Sequence, residues 1–536
     1  MVRINKEKLF FGIAAALKLL LAAFLCSQNP AAGILTLLET ALLTGGLYIL
    51  PRKWRWVMIF FLAINIIQCL HIIGGGTFLV AETLMNLGAT NVVSPEMKIR
   101  MILCLSGALL AYLPDFFLKL RLKLSRRRQL VYAGIFLAAE LLLPLPFHSI
   151  VDPVKETVQL YFIDRPDLLK GARYYRKNIA DSGISGKLGS RGKNIILIFT
   201  EGTSYKCISK ELTPTLWGLM KESLSFEDYF NHTAATFRGI RGQLISGYPA
   251  IGGVALHGLS GFSNMSEEQI EKLYPTRLPT LPRILAKHGY SCQFFSPHSR
   301  KEQLGAVMKI VGFSDIQYAE DYIPGRIWIS DQQLYDHLWN KLEQRKDSLT
   351  PFFIALYPSG THHGFNSPDI RYKDGKNAYL NKFHQHDHWL GKFLEKFKKS
   401  RFADNTIIII TADHAIYPTP EAKALFKIKS RCFVDRIPLI IYNRNFKPAR
   451  MDAGMRNSLA LAPTILDMLG IHNEANYFLG NSLFTDLKTD YDRIAIEGKQ
   501  IFGVAKDGSV ELLAEGPKKK YRRWKRWLKE YYKFIW

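Results

Sequence analysis

Apolar residues are not spread evenly along this chain. They crowd into the first 150 positions, in five blocks long enough to cross a bilayer: about 9 to 27, 31 to 50, 54 to 74, 101 to 118 and 129 to 147. Lys18 falls inside the first block and Asp115 near the end of the fourth, so these limits are soft. The 48% hydrophobic content by itself would suit a globular protein. Its distribution requires two parts instead, an apolar helical one and a more polar one, and 536 residues also exceed a single ordinary core.

Cationic residues set the orientation of the first part. Arg3, Lys6 and Lys8 precede the first block; Arg52, Lys53 and Arg55 lie between the second and third; Lys119, Arg121, Lys123, Arg126, Arg127 and Arg128 lie between the fourth and fifth. The positive-inside rule makes all three segments cytoplasmic, so five crossings leave everything after about 150 outside the cytoplasm. The stretch from about 75 to 98 then falls on the external side, too polar for a sixth span and suited to an interfacial segment. A cleavable signal peptide is a poor account of the first block, because no small-residue cleavage site follows it and four more spans do.

Residues 151 to 192 read as a juxtamembrane helix and a linker, with Gly/Ser-rich punctuation from Asp181 to Gly192. A compact domain is expected over 193 to 515. Strand-like runs at 195 to 200, 352 to 357, 406 to 411 and 437 to 442 alternate with helical stretches such as Ser330 to Arg345 and Lys382 to Lys398. That alternation predicts an α/β fold with a mainly parallel sheet. Residues 516 to 536 form a basic, aromatic tail that either lies on an anionic membrane surface or acidic glycolipid, or is a solvated, partly helical end. Nucleic acid is an unsuitable partner despite the net charge of +25, since the tail is external and much of the other excess flanks the membrane blocks. Cys207, Cys292 and Cys432 lie outside the spans and allow one disulfide at most. There is no Cys-x-x-Cys pair, so a metal would need carboxylate, imidazole and hydroxyl donors.

Two runs break off at such donors. Asn194-Ile-Ile-Leu-Ile-Phe-Thr-Glu201 and Asn405-Thr-Ile-Ile-Ile-Ile-Thr-Ala-Asp413-His414 read as buried parallel strands that deliver Glu201, and Asp413 with His414, to their carboxyl ends. Those donors suit Zn²⁺ or Mn²⁺ in a three-ligand site with an open position. Thr236, in Asn231-His-Thr-Ala-Ala-Thr236-Phe-Arg238-Gly-Ile-Arg241, stands at a loop-to-helix junction. It is either an N-cap or a nucleophile whose hydroxyl a divalent cation activates. His362 and His363, in Tyr357-Pro-Ser-Gly-Thr-His362-His363-Gly-Phe365, follow a further strand and suit phosphate binding or protonation of a leaving oxygen. Arg238 and Arg241 either add positive charge for a phosphoryl group or sit on the helix surface.

With these residues in order, the chain from about 193 to 485 resembles the sulfatase-like branch of the alkaline phosphatase superfamily, as in membrane-anchored phosphoethanolamine transferases and lipoteichoic acid synthases. The resemblance rests on Ile-Leu-Ile-Phe-Thr-Glu201, on Thr236 twelve residues before Tyr248-Pro249, on Thr361-His-His-Gly-Phe and on Thr411-Ala-Asp413-His414. It extends through Arg436-Ile-Pro-Leu-Ile-Ile-Tyr, Leu461-Ala-Pro-Thr-Ile-Leu-Asp-Met-Leu-Gly470 and Gly480-Asn-Ser-Leu. Thr200-Glu201-Gly-Thr and Ala415 depart from the usual flanks. No Cys-x-Pro-x-Arg is present, which argues against sulfate ester hydrolysis.

The resemblance implies a metal site of Glu201, Thr236, Asp413 and His414, with Thr236 as nucleophile, His362 or His363 on the substrate, and a ping-pong transfer through phosphothreonine. A phospholipid would be the donor and an envelope glycolipid or polysaccharide the acceptor, outside a bacterial inner membrane that holds the chain by several passes. Phosphoethanolamine transfer to a lipopolysaccharide core or lipid A sugar is the first expectation. Phosphoglycerol transfer of the lipoteichoic acid synthase or glucan-modifying type is the second, and phosphodiester hydrolysis at the same site a third. A non-catalytic membrane scaffold would predict missing ligands, whereas all four are present.

Overall fold

The architecture was taken from a computed structural model of the chain. It describes residues 6–75, 78–79, 99, 102–103, 105–112, 124–161, 175–188, 192–249, 278–300, 302–362, 369–428, 433–497 and 500–535. Two compact units emerge, residues 1–162 with 419–425, and residues 163–418 with 426–536.

In the first unit the apolar blocks become helices α1 (Lys6–Gln28), α2 (Pro30–Ile49) and α3 (Arg55–Gly75), followed by α4 (Arg126–Leu142) and α5 (Pro146–Tyr161). Asn29 sets the start of α2: its side chain accepts from the Ala32 amide at 3.1 Å, and Pro30 supplies the fixed φ of a first helical residue. Among the described residues, two helices are long and apolar enough to cross a membrane, Pro30–Ile49 and Trp56–Ile73. A third counts if α4 and the start of α5, bent by 44° across the break, form one span. Of the five expected crossings, the fourth block is described only in part, at 102–103 and 105–112, and the first gives a shorter apolar helix, Gly12–Gln28. The stretch from 75 to 98 is likewise almost wholly outside them.

The fifth block does not run straight, because Pro144 and Pro146 interrupt it. The backbone groups freed there find side chains: the Phe147 amide donates to Glu39 at 3.0 Å and the Pro146 carbonyl accepts from Gln68 at 2.9 Å. Unmet backbone groups in hydrocarbon cost several kcal/mol each, on the order that justifies polar residues in apolar helices.

In the second unit the chain order is β1 (Asn194–Thr200), β2 (Leu224–Glu227), α6 (Thr236–Ile245), β3 (Ser291–Phe295), β4 (Asp315–Gln317), α7 (Asp331–Gln344), β5 (Phe352–Leu356), α8 (Ala378–Lys398), β6 (Thr406–Ala412), β7 (Leu439–Tyr442), β8 (Ala449–Asp452) and α9 (Leu461–Met468). These strands form an eight-stranded sheet of order β4-β3-β5-β1-β6-β7-β2-β8. The strands from β4 through β6 are mutually parallel, while β7 runs antiparallel to β6 and to β2. A smaller antiparallel sheet holds β9 (Ile494–Glu497), β10 (Gln500–Val504) and β11 (Val510–Leu512), and the chain continues into α10 (Lys518–Ile535).

The β-branched runs need two covered faces, and they have them. Ile195, Leu197, Ile407 and Ile409 pack on one side of the sheet, and Ile196, Ile198, Ile408 and Ile410 on the other, all at 0–1% exposure. Truncating any of these isoleucines to alanine is expected to cost about 2–5 kcal/mol. β1 and β6 pair in register from Asn194↔Thr406 to Thr200↔Ala412, so the residues that follow, Glu201 and Asp413, emerge side by side.

Candidate functional site

Four strand ends converge at the carboxyl edge of the sheet. β1 delivers Glu201, β6 delivers Asp413 and His414, β5 delivers Tyr357 and the turn to His362, and β3 delivers His298. Glu201, Asp413 and His414 are all buried, and one donor atom from each lies within 4.8 Å of the others. His414 Nε2 is 3.4 Å from Glu201 Oε1 and 3.5 Å from Asp413 Oδ2. The Gly202 and His414 amides donate to Asp413 Oδ1 at 2.8 and 2.7 Å, which fixes the carboxylate. Its other oxygen, Oδ2, is buried with no protein hydrogen bond.

The electrostatics of this cluster point the same way. Burial raises the pKa of Asp413, and the charge of Glu201 adds to it, to about 8. Burial opposes charge on His414, yet Asp413 and the Glu201 hydrogen bond outweigh it and raise the imidazole to about 10. Burial likewise works against the Glu201 carboxylate, but its bond to His414 and the imidazolium charge hold it well below the usual range. Protons thus fill the place of positive charge, with a hard oxygen left over. Two carboxylates and an imidazole with one orphaned oxygen fit a divalent cation, which would displace those protons.

Thr236 is the first residue of α6, and its Oγ1 donates to Glu201 Oε2 at 3.0 Å. The preceding Ala235 has φ 64° and ψ 142°, a conformation favouring glycine, so backbone strain sits directly before the threonine. The helix is held tightly against β6. Gln243 Nε2 donates to the Ala412 carbonyl at 2.9 Å, and a Cβ on Gly239 would lie 2.1 Å from the Asp413 carbonyl oxygen. Only glycine permits that approach.

His362 stands beside this group: its charge bears on both Glu201 and His298. The Thr361 hydroxyl donates to the Glu201 carbonyl at 2.6 Å, and Lys382 Nζ donates to the His362 carbonyl at 3.1 Å. His363 lies outside the described residues. Arg238 is 2% exposed, and its charge acts on Tyr417, whose ring is 5.0 Å from that of His414. Arg241 is directed elsewhere, beside Tyr531 of α10, where burial lowers its pKa to about 10.

Sequence reasoning missed three contributors. The Tyr357 hydroxyl donates to Glu201 Oε2 and lies 3.4 Å from Thr236 Oγ1; burial, then the Glu201 charge, keep it protonated. His298 packs 6.1 Å from the Tyr357 ring, and burial followed by the His362 charge lowers its pKa to about 4. Asp331, at the start of α7, accepts from the Gly360 amide at 2.9 Å and from His386 Nδ1 at 2.8 Å, anchoring the turn that carries Thr361 and His362. Tyr357 was signalled by its place directly after an apolar run, and His298 by Ser-Pro-His after Cys-Gln-Phe-Phe. Asp331 opens one helix and His386 lies inside another, and neither carries a local signal of their meeting.

A second cluster has similar composition. Asp467 Oδ1 accepts from His472 at 3.1 Å and from the Ser182 amide at 3.2 Å, and Asp467 Oδ2 accepts from Ser482 at 2.5 Å. Asp181 lies 3.5 Å from His472, at 61% exposure.

Residues 193–471 match the model of the family described as Sulfatase. The chain belongs to the sulfatase family. Within it, the chain is 22% identical over 382 residues to a lipoteichoic acid synthase-like protein, YvgJ, of Bacillus subtilis (strain 168), covering 64% of this chain and 58% of that one. It is 26% identical over 311 residues to phosphoglycerol transferase I of Escherichia fergusonii, covering 54% of this chain and 38% of the relative. The matched region thus spans less than two thirds of either relative. Among solved structures, a protein in the alkaline phosphatase superfamily from Vibrio parahaemolyticus superposes with a TM-score of 0.53 at 19% identity, over 71% of this chain and 96% of that one. The sulfatase-family domain therefore has the alkaline-phosphatase-like fold with its mainly parallel sheet.

Proposed function

We propose that this sulfatase-family chain is a membrane-held transferase that moves a phosphoryl head group from a phospholipid to an envelope acceptor through a phosphothreonine at Thr236. The observation that carries the reading is the Thr236 hydroxyl, at a helix N-terminus and 3.0 Å from Glu201, beside a three-donor cluster with an orphaned oxygen. In this reading residues 1–150 cross the membrane five times, 151–192 link, 193–515 form the external catalytic domain of a bacterial inner-membrane protein and 516–536 the tail.

Glu201, Asp413 and His414, with Thr236 as fourth donor, would hold a divalent cation, Zn or Mn. Such an ion lowers the pKa of a coordinated hydroxyl and offsets the charge of phosphoryl oxygens. The residues themselves orient the reaction. Glu201 and Tyr357 fix Thr236 Oγ1; its proton leaves along the hydrogen bond to Glu201 Oε2 as the oxygen bonds to phosphorus and the bond to the diacylglycerol oxygen breaks. That leaving oxygen takes a proton from His362, which stands beside the site, or from His363, the other histidine of the sequence motif; His298, held neutral by burial and the His362 charge, is not a donor. The amides opening α6 face the phosphoryl group. An acceptor hydroxyl then attacks the phosphothreonine, gives up its proton and restores Thr236. Water in place of the acceptor would make the same site a hydrolase.

The head group is phosphoglycerol or phosphoethanolamine. The relatives' names support phosphoglycerol; phosphoethanolamine, preferred on sequence grounds, uses identical machinery. Reconstitution with phosphatidylglycerol or phosphatidylethanolamine and mass spectrometry of the protein separates them by the mass added at Thr236. A chain that acquires neither group from either lipid, with acceptor withheld, sinks the reading.

A further inference from the structure

Residues 518–536 carry nine lysines and arginines against one glutamate. A free amphipathic helix of this composition would bury its aromatic face in a bilayer. In α10 that face is already taken. Tyr531 and Leu528 are buried against Ile245, Tyr248 and Leu479, with Tyr521, Trp524, Trp527 and Tyr532 packed around them. Trp527 Nε1 donates to the Tyr175 hydroxyl at 3.1 Å, the Tyr248 amide donates to the Tyr531 hydroxyl at 3.3 Å, and the Trp527 and Tyr531 rings stack 4.8 Å apart. The helix is therefore a fixed part of the catalytic unit, and its outward side is a row of exposed cations, Lys519, Arg522, Arg526 and Lys529, at three- and four-residue spacing. Arg523 pairs with Asp490 at 2.8 Å, but both side chains are more than two-thirds exposed, so this pair removes little of the field.

We propose that the cationic face of α10 binds the anionic phospholipid headgroups of a bilayer surface. The charge is complementary, and the same chain carries two helices long and apolar enough to cross a membrane among its described residues, so a bilayer is the polyanion that would be held at the highest effective concentration. Because the aromatic face is committed to the protein core, binding is electrostatic, shallow and salt-sensitive. This inference is separate from the transferred group and holds for a transferase or a hydrolase alike.

The test uses the full chain in nanodiscs of phosphatidylcholine, mixed with vesicles and floated on a density gradient. It is expected to rise with phosphatidylglycerol vesicles, to stay behind with phosphatidylcholine vesicles, and to be released as salt increases. K519Q/R522Q/R526Q/K529Q is expected to weaken association on the order of a thousandfold, given about 1 kcal/mol per cation near an anionic surface. The charge-preserving K519R/K529R is expected to bind as the parent does, and unchanged tryptophan emission reports that α10 remains docked. Equal flotation of the neutralised variant overturns the proposal, as does tighter retention by inorganic polyphosphate than by phosphatidylglycerol vesicles at equal phosphate concentration.

Discussion

Among the described residues, the sulfatase-family unit holds two clusters of two carboxylates and one histidine, and they are built for opposite ends. Around Asp467 both oxygens accept hydrogen bonds from protein groups, and the partner Asp181 is open to water. Around Asp413 one oxygen is fully engaged by backbone amides while the other is buried without a donor, between Glu201 and His414. Ligand types alone do not distinguish a staple from a site; the balance of donors against acceptors does. A satisfied buried carboxylate holds chain segments together, here the linker, α9 and the turn at Ser482. An unsatisfied one is a standing cost that only a bound cation, or protons in its place, removes.

The largest effect that bears on this contrast belongs to Thr236. T236A is expected to abolish the covalent phosphoryl-protein and lower transfer by more than about a thousandfold while leaving the melting temperature unchanged. A variant that still transfers at the parent rate breaks the assignment of the cluster as a reaction site. Next comes the metal. Zn²⁺ or Mn²⁺ added to chelated protein is expected to raise the melting temperature, by about 3 kcal/mol of stabilisation at a hundredfold excess over the dissociation constant, and D413N to lose both the shift and the bound metal by elemental analysis. A D467N protein that lost its metal while D413N kept it would invert the comparison.

A third histidine sharpens it further. His232 is as buried as His414 but faces Ser458 at 2.7 Å rather than carboxylates, and burial lowers its pKa to about 3. The unfolded chain takes up this proton near pH 6.5 and the folded chain does not, so the stability present above 6.5 is lost as pH falls toward 3. The full loss is about 5 kcal/mol, and H232N should flatten the acid limb of a thermal unfolding series. The smallest effect is expected at the staple, where D467N leaves metal content and transfer intact and costs about 1–3 kcal/mol of unfolding free energy.

What the sequence disclosed follows from how locally each feature is encoded. β1, β5, β6 and β7 are continuous apolar runs, so their strand character and the placement of Glu201, Asp413 and His414 beyond strand ends were readable. β2 (Leu-Ser-Phe-Glu) and β3 (Ser-Cys-Gln-Phe-Phe) carry polar residues and were not picked out, and with β3 went His298. The positive φ of Ala235 could not be read either, because alanine gives no hint of a conformation imposed by packing. Asp331 and His386 meet only because α7 and α8 lie side by side under the turn at Gly360. The tail was legible as basic and aromatic, but whether its aromatic residues would meet lipid, water or protein depended on the groove formed by Ile245, Tyr248 and Leu479, drawn from distant segments.

Gly239 acts as a mechanical stop. The helix that carries Thr236 rests against the Asp413 carbonyl at a distance that only a missing side chain allows, so the reach from hydroxyl to carboxylate is gauged by hard contact rather than by attraction. One added methyl would shift the proposed nucleophile, Thr236, and displacements near 1 Å in a reacting group cost about a hundredfold in rate. If the proposed transfer holds, variation toward a new acceptor must leave this seat alone and work at the rim.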